Sequence, residues 1–295
     1  HETAESAAEP AAGEARMTSP AERFRQMVSG PDEAINLAEA ALLIASEEYR
    51  DLDIAEYLAR LDAMAAMLRR RLRADISPAD TIIALNRFLF DEHGFGGNAA
   101  DYYDPRHSFL NEVLDRKRGI PLTLALVYIE IGRRIGLPVQ GVSFPAHFLV
   151  KCPLREGTVV LDPYAKGVSL SFDDLRQRIR SLRNGVEPPR SVIAGMLATA
   201  SNKDILVRML RNLKGIYTHH REWLKALAAT DRILSVMPGL AEEYRDRGMI
   251  YLSLECFRAA LFDLQAYIKM LPVAADAETV RRKVIELQAT AARLN

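Results

Sequence analysis

A proline standing at the head of a long apolar run constrains this chain more than any other feature. The run is Leu122-Thr123-Leu124-Ala125-Leu126-Val127-Tyr128-Ile129-Glu130-Ile131, led by Pro121 and broken at Gly136-Leu137-Pro138. Proline fits the first helical position because its missing N–H is no loss there and its fixed φ suits a helix start. Apolar residues then cover nearly every face, so the pattern predicts a helix buried on all sides. Such a helix brings its N-terminus, a local positive pole, among other elements. The stretch Arg116–Pro163 is therefore where chemistry is sought.

Before it, the helical period governs the sequence. Ala34, Leu37, Ala38, Ala41, Leu42 and Ala45 form one stripe, and Ile54, Tyr57, Leu58, Leu61, Met64, Ala65, Leu68 and Leu72 a second. Ser77, Pro78 and Asp80 supply a cap, a first-turn proline and a first-turn acid for a third helix that stops at Gly94. An irregular aromatic loop through Tyr102-Tyr103-Asp104-Pro105 follows, then a short helix over 108–116.

Beyond Pro138 the period drops to two. Val139–Ser143, His147–Cys152 and Thr158–Asp162 read as strands, the last two joined by a turn near Arg155. That turn makes His147 and Asp162 candidate cross-strand neighbours. Ser171 caps a helix running to about Leu182, and Asn184-Gly185-Val186-Glu187-Pro188-Pro189 forms a boundary that no helix continues through.

The C-terminal third repeats itself. Tyr217, Ala226 and Pro238 recur 34 residues later as Tyr251, Ala260 and Pro272, and the second copy adds Gly248, Leu264 and Tyr267. This period, with small residues at helix crossings and a closing proline, is the tetratricopeptide signature. The first copy is degenerate, carrying Lys214 where glycine is expected. Residues 276–294 would cap the stack, since each helix pair cannot bury its own apolar face.

Charge and cysteine content exclude several function classes. The 39 basic residues balance 39 acidic ones, which leaves no global footprint for nucleic acid or an anionic membrane. Arg69-Arg70-Arg71 and Arg116-Lys117-Arg118 read as solvated helix ends. No run approaches the ~20 apolar residues that span a bilayer, and no basic and apolar signal segment opens the sequence. Cys152 and Cys256 read as two free buried thiols with no CxxC for zinc. A soluble, cytoplasmic protein without cofactor or metal is expected. His219-His220 keeps no ligand spacing with further donors and reads as solvent-facing.

Several of these residues together resemble the transglutaminase core. They are the glycine-led start of the central helix at Gly119, its end Arg133-Arg134-Ile135-Gly136-Leu137-Pro138, then His147-Phe148-Leu149-Val150 and Val160-Leu161-Asp162-Pro163. The resemblance implies a cysteine at the N-terminus of the central helix, a histidine on the next strand and an aspartate on the one after. In that layout the helix pole and the imidazole lower the thiol pKa, and the aspartate orients the imidazole. His147 and Asp162 match the last two positions, and the cysteine position falls on Pro121.

Longer motifs narrow the resemblance to the SirB-type transglutaminase-like proteins. These are Asn86-Arg87-Phe88-Leu89-Phe90, Tyr102-Tyr103-Asp104-Pro105, Leu110-Asn111-Glu112-Val113-Leu114, Arg118-Gly119-Ile120-Pro121 and Phe144-Pro145-Ala146-His147-Phe148-Leu149-Val150. That family is described as regulatory or uncharacterised, and proline at the former cysteine position is typical of it. His107 stands where the family pattern has an asparagine.

The expected fold is α+β and mostly helical, with a small antiparallel sheet in the core. Residues 1–31 are expected as a disordered tail, 32–183 as a helical subdomain plus transglutaminase-like core, 184–202 as a linker and 203–295 as tetratricopeptide-like repeats. The candidate cleft comprises Tyr103, Asp104, Asn111, Gly119, Pro121, Thr123, His147 and Asp162. Cys152, on the strand face opposite His147, reads as a packed core thiol, and the Thr123 hydroxyl as a back-bond to the preceding turn. The expected function is non-catalytic binding of a protein or peptide partner through this cleft and the repeat groove. The alternative is a cysteine-independent hydrolase or acyl transferase using His147 as base and Asp162 to orient it.

Overall fold

Capping chemistry sets where the first helices begin in the computed structural model, which describes residues 19–98 and 103–293. The Ser19 hydroxyl accepts from the Glu22 N–H at 3.2 Å, and the Glu22 carboxylate accepts from the Ser19 N–H at 2.9 Å. This reciprocal cap starts α1 (Pro20–Ser29), whose Phe24 and Val28, one turn apart, are buried. The expected tail over 1–31 is corrected here, because 20–29 are helical and packed; 1–18 lie outside the described residues. So short a helix holds too few apolar positions to display a period, and the cap was its one legible signal.

Next come α2 (Leu37–Ala45), α3 (Ile54–Arg69) and α4 (Pro78–Asn86), capped by Asn36, Asp53 and Ser77. The backbone continues past α4 as a wider π turn over Arg87–Glu92 and reverses at Gly94, whose φ is +70°. The short strand β1 (Gly96–Gly97) follows. A 3-10 turn over Pro105–Ser108 precedes α5 (Leu110–Arg116), the short helix expected over 108–116. Then β2 (Arg118–Gly119) pairs in parallel with β1, and α6 (Pro121–Arg134) begins.

Helix α6 is the buried centre of the molecule. Every residue from Leu122 to Gly132 is buried, as the all-round apolar pattern requires. The Tyr128 hydroxyl donates to Asn86 Oδ1 at 2.9 Å, and Asn86 Nδ2 donates to the Gly167 carbonyl at 2.9 Å. One polar relay thus ties α6 to α4 and to the loop after the third sheet strand.

The sheet is antiparallel, in the order β3 (Gln140–Val142), β4 (Leu149–Leu154), β5 (Gly157–Asp162) and β6 (Val168–Leu170). The strand β6 was not foreseen; it is short and largely exposed, so it carries no alternation. The β4–β5 register pairs Val150 with Leu161, and His147 precedes the strand instead of beginning it.

Residues 184–202, expected as a linker, are mostly exposed but anchored at Pro188, Ile193 and Ala200. Asn184 and Gly185, both at positive φ, do end α7 (Phe172–Leu182). However, α8 (Arg190–Met196) buries Ile193 completely, and the Ala200 N–H donates to the Gly141 carbonyl at 2.9 Å along the free edge of β3. Covering that edge satisfies backbone groups that a free strand would expose.

Two helix pairs follow, α9 (Asn202–His219) with α10 (Trp223–Val236) and α11 (Ala241–Ser253) with α12 (Phe257–Met270), and α13 (Ala277–Arg293) covers the last pair with Val280, Val284 and Leu287. At Gly248 a Cβ would come within 2.8 Å of Leu264, so glycine here permits the close crossing of α11 and α12. Its counterpart one repeat earlier, Lys214, has a different use. Lys214 Nζ lies 2.6 Å from both Glu243 Oε2 and Asp246 Oδ2, joining α9 to α11. One hydrophobic cluster runs from Phe24 in α1 to Ile250 in α11, so the core does not break where the repeats begin. Among the described residues no helix is long and apolar enough to cross a membrane.

Candidate functional site

The head of α6 is fixed by its own neighbours. The Thr123 hydroxyl donates to the His107 carbonyl at 2.7 Å and accepts from the Ile120 N–H at 3.1 Å. Thr123 is fully buried, and these two contacts occupy its hydroxyl. Gly119 is required there, since a Cβ would sit 2.7 Å from that oxygen. Pro121 supplies neither an N–H nor a side-chain nucleophile.

His147 reaches Asp162 from a turn. Ala146, at φ +54°, folds the chain back so that the His147 N–H meets the Phe144 carbonyl. The ring then places Nε2 2.8 Å from Asp162 Oδ1, although ladder register alone would not pair the two. Asp162 is 1% exposed and accepts further from the Tyr164 and Ala165 N–H groups and, at 2.8 Å, from Arg178 Nη2. Burial opposes its charge, but the hydrogen bond and charge of His147 and then of Arg178 outweigh it and hold the carboxyl below its usual range. A carboxylate only accepts, so His147 donates from Nε2 and keeps Nδ1 as the other face of the ring. The Tyr164 ring meets the His147 ring edge-on at 5.8 Å, and Gly97 lies so near Tyr164 that a Cβ would fall 2.2 Å from it. Gly97 pairs with Gly119, which links the His147 side to the head of α6.

The remaining cleft residues lie elsewhere. Asp104 caps the 3-10 turn and pairs with Arg106 at 2.6 Å. Tyr103 stacks on His219 of α9 with ring centroids 4.0 Å apart, and that histidine is exposed, as expected. Asn111 is buried with Oδ1 unpartnered. Arg178 and Tyr164 were not foreseen. Tyr164 could have been read from its place two residues after Asp162, whereas Arg178 lies on α7 and gave no local signal.

Neither cysteine lies at the head of α6. Cys152 is fully buried and its surroundings push the thiol pKa up to about 11, away from the thiolate a nucleophile needs. Cys256 is exposed, correcting the expectation that both thiols are buried, and it stands at the start of α12 in the repeats. Among the described residues no group of histidine, cysteine and carboxylate side chains could hold a metal ion.

The family model described as the transglutaminase-like superfamily matches residues 55–211, and a tetratricopeptide-repeat model matches 213–284. A UPF0162 protein of Xylella fastidiosa (strain Temecula1) is 40% identical over 264 residues, covering 90% of this chain and 94% of its own length. The chain belongs to the SirB-type transglutaminase-like family. Within that family a UPF0162 protein of Pseudomonas aeruginosa is 34% identical over 78% of this chain and 82% of its own. The protein SirB1 of Salmonella typhimurium is 25% identical over 82% of this chain and 90% of its own. The family's two parts, a transglutaminase-like domain and repeats, correspond to the sheet-and-α6 core and to α9–α13.

Proposed function

We propose that this protein is a non-catalytic transglutaminase-like regulatory or scaffold protein of the cytoplasm, which binds a protein or peptide partner. The observation that carries this reading is the head of α6. Pro121 stands where the family resemblance places the nucleophile, and the neighbouring Thr123 oxygen is committed to His107 and Ile120. A histidine and aspartate without a nucleophile can orient and hydrogen-bond a ligand but form no acyl intermediate. The edge of His147 and the groove between α11 and α13, lined by Arg245, Met249, Asp276 and Lys283, offer the contact surfaces. Tetratricopeptide repeats commonly mediate protein interactions, which supports the second of these.

The intact His147–Asp162–Arg178 arrangement favours one other reading, a hydrolase or acyl transferase in which His147 activates water.

The partner reading is tested by crosslinking in cells that express the full chain. Point variants are preferable to deleting the repeats, because the core is continuous across them. His147→Ala and Met249→Asp, the latter at an exposed groove position, are each expected to lose a partner that the wild type retains. An identical crosslinked set for all three proteins would overturn the proposal.

A further inference from the structure

A second cavity, of about 430 Å³, lies between α9 and the head of α6, apart from His147. That volume falls within the range of small-ligand pockets. Its α9 wall is a polar stripe. Arg211, Gly215, Thr218 and His219 follow the i, i+4, i+7, i+8 spacing of one helix face, and Asn212 flanks them. Opposite stand Tyr103, Ser108 and Ile120. No carboxylate lines the cavity, and its polar groups are donors or can act as such.

Two observations show more than a chance gap. Ser108 is fully buried, yet its hydroxyl has no hydrogen-bond partner, and His107 Nδ1 and Asn111 Oδ1 nearby are likewise buried and unpartnered. Buried polar atoms are nearly always paired, and of these three Ser108 is the one that lines the cavity, so its hydroxyl is open to a partner from outside the chain. Gly215 is the second. Glycine inside a helix is unfavourable, yet a Cβ there would meet nothing within 4 Å. Packing within the protein does not require this glycine; what its missing side chain preserves is the cavity. Arg211 holds Glu243 through Nε at 2.7 Å, so that contact does not use the two terminal nitrogens of its guanidinium.

We propose that this cavity binds a carboxylate, taken by the Arg211 guanidinium with Asn212 and the Ser108 hydroxyl as neutral donors. The carboxylate could belong to a peptide or to a free small acid, and the test separates the two. Titration calorimetry of the full chain uses glutarate, the capped peptide acetyl-Ala-Ala-Glu-Ala-Ala-amide and its Glu-to-Gln counterpart. Saturable binding of a carboxylate probe is expected, with the glutamine peptide weaker by about tenfold or more, the scale of one charged hydrogen bond. Binding of glutarate alone assigns the site to small acids, and tighter binding of the glutamate peptide assigns it to peptides. Gly215→Leu is expected to fill the cavity and abolish binding with Tm unchanged or raised, and Arg211→Gln to weaken it about tenfold. His147→Ala leaves it unchanged, so this site can fail or stand separately from the partner reading above. No saturable binding of either carboxylate probe, or binding that survives Gly215→Leu, overturns the proposal.

Discussion

Replacing Asp162 with alanine is expected to lower stability by about 3 kcal/mol, because each buried donor left unpaired costs about 1–3 kcal/mol. The carboxylate now accepts from His147, Arg178 and the Tyr164 and Ala165 N–H groups. Arg178 is half-exposed and recovers some of its loss in water, whereas the backbone groups of the turn do not. At roughly 2–4 °C per kcal/mol for a chain of this size, Tm should fall by about 6–12 °C. Asp162→Asn, which keeps an acceptor oxygen, should lose about half as much. The effect also has a pH signature. The folded pKa of Asp162 lies below its unfolded value, so its contribution is present above the unfolded pKa of about 4 and is lost as pH falls through the folded one. The Tm gap between wild type and Asp162→Ala should therefore be full near neutrality and close in acid. A gap of constant size down to pH 3 would contradict the assignment.

Gly167→Ala should have an effect of similar size by a different route. Gly167 has φ +74°, a region that costs a residue with a Cβ about 1–2 kcal/mol. The added carbon would also lie 2.2 Å from Asn86 Oδ1, the acceptor of the buried Tyr128 hydroxyl. Moving Asn86 breaks that bond and its own bond to the Gly167 carbonyl, leaving a fully buried phenol unpartnered. The expected total is about 2–4 kcal/mol, read as Tm. In a Tyr128→Phe background part of this loss should disappear, because the two residues share one relay. Strict additivity would show that the relay is not what Gly167 protects.

The parts of the fold legible in the sequence are those that depend on neighbours in the chain. Ser77-Pro78 starting α4, Pro121 starting α6, the change from helical to alternating pattern after Pro138 and the 34-residue recurrence are all local signals. What escaped depends on residues far apart. Ile193 buries itself in a sheet-side cluster, so the expected linker is anchored to the core. Lys214 breaks the repeat pattern because Glu243 and Asp246, one repeat later, give it two partners. In the candidate site, the meeting of His147 with Asp162 was foreseeable from the hairpin, but its means was not. The positive φ of Ala146 brings the ring back from outside the strand. Arg178 and the neighbourhood of Gly97, Tyr164 and Gly119 form only when α7 packs on the sheet and the short parallel pair docks beside α6.

In the proposed reading, this transglutaminase-like scaffold keeps its His147–Asp162 pair without running a reaction. The direct measurement is turnover of a broad panel of peptide, ester and glutamine-amide substrates by wild type and by His147→Ala, with Tm recorded for both. The two proteins are expected to give the same background rate on every substrate. Turnover by the wild type that disappears in His147→Ala, with Tm nearly unchanged, would contradict it.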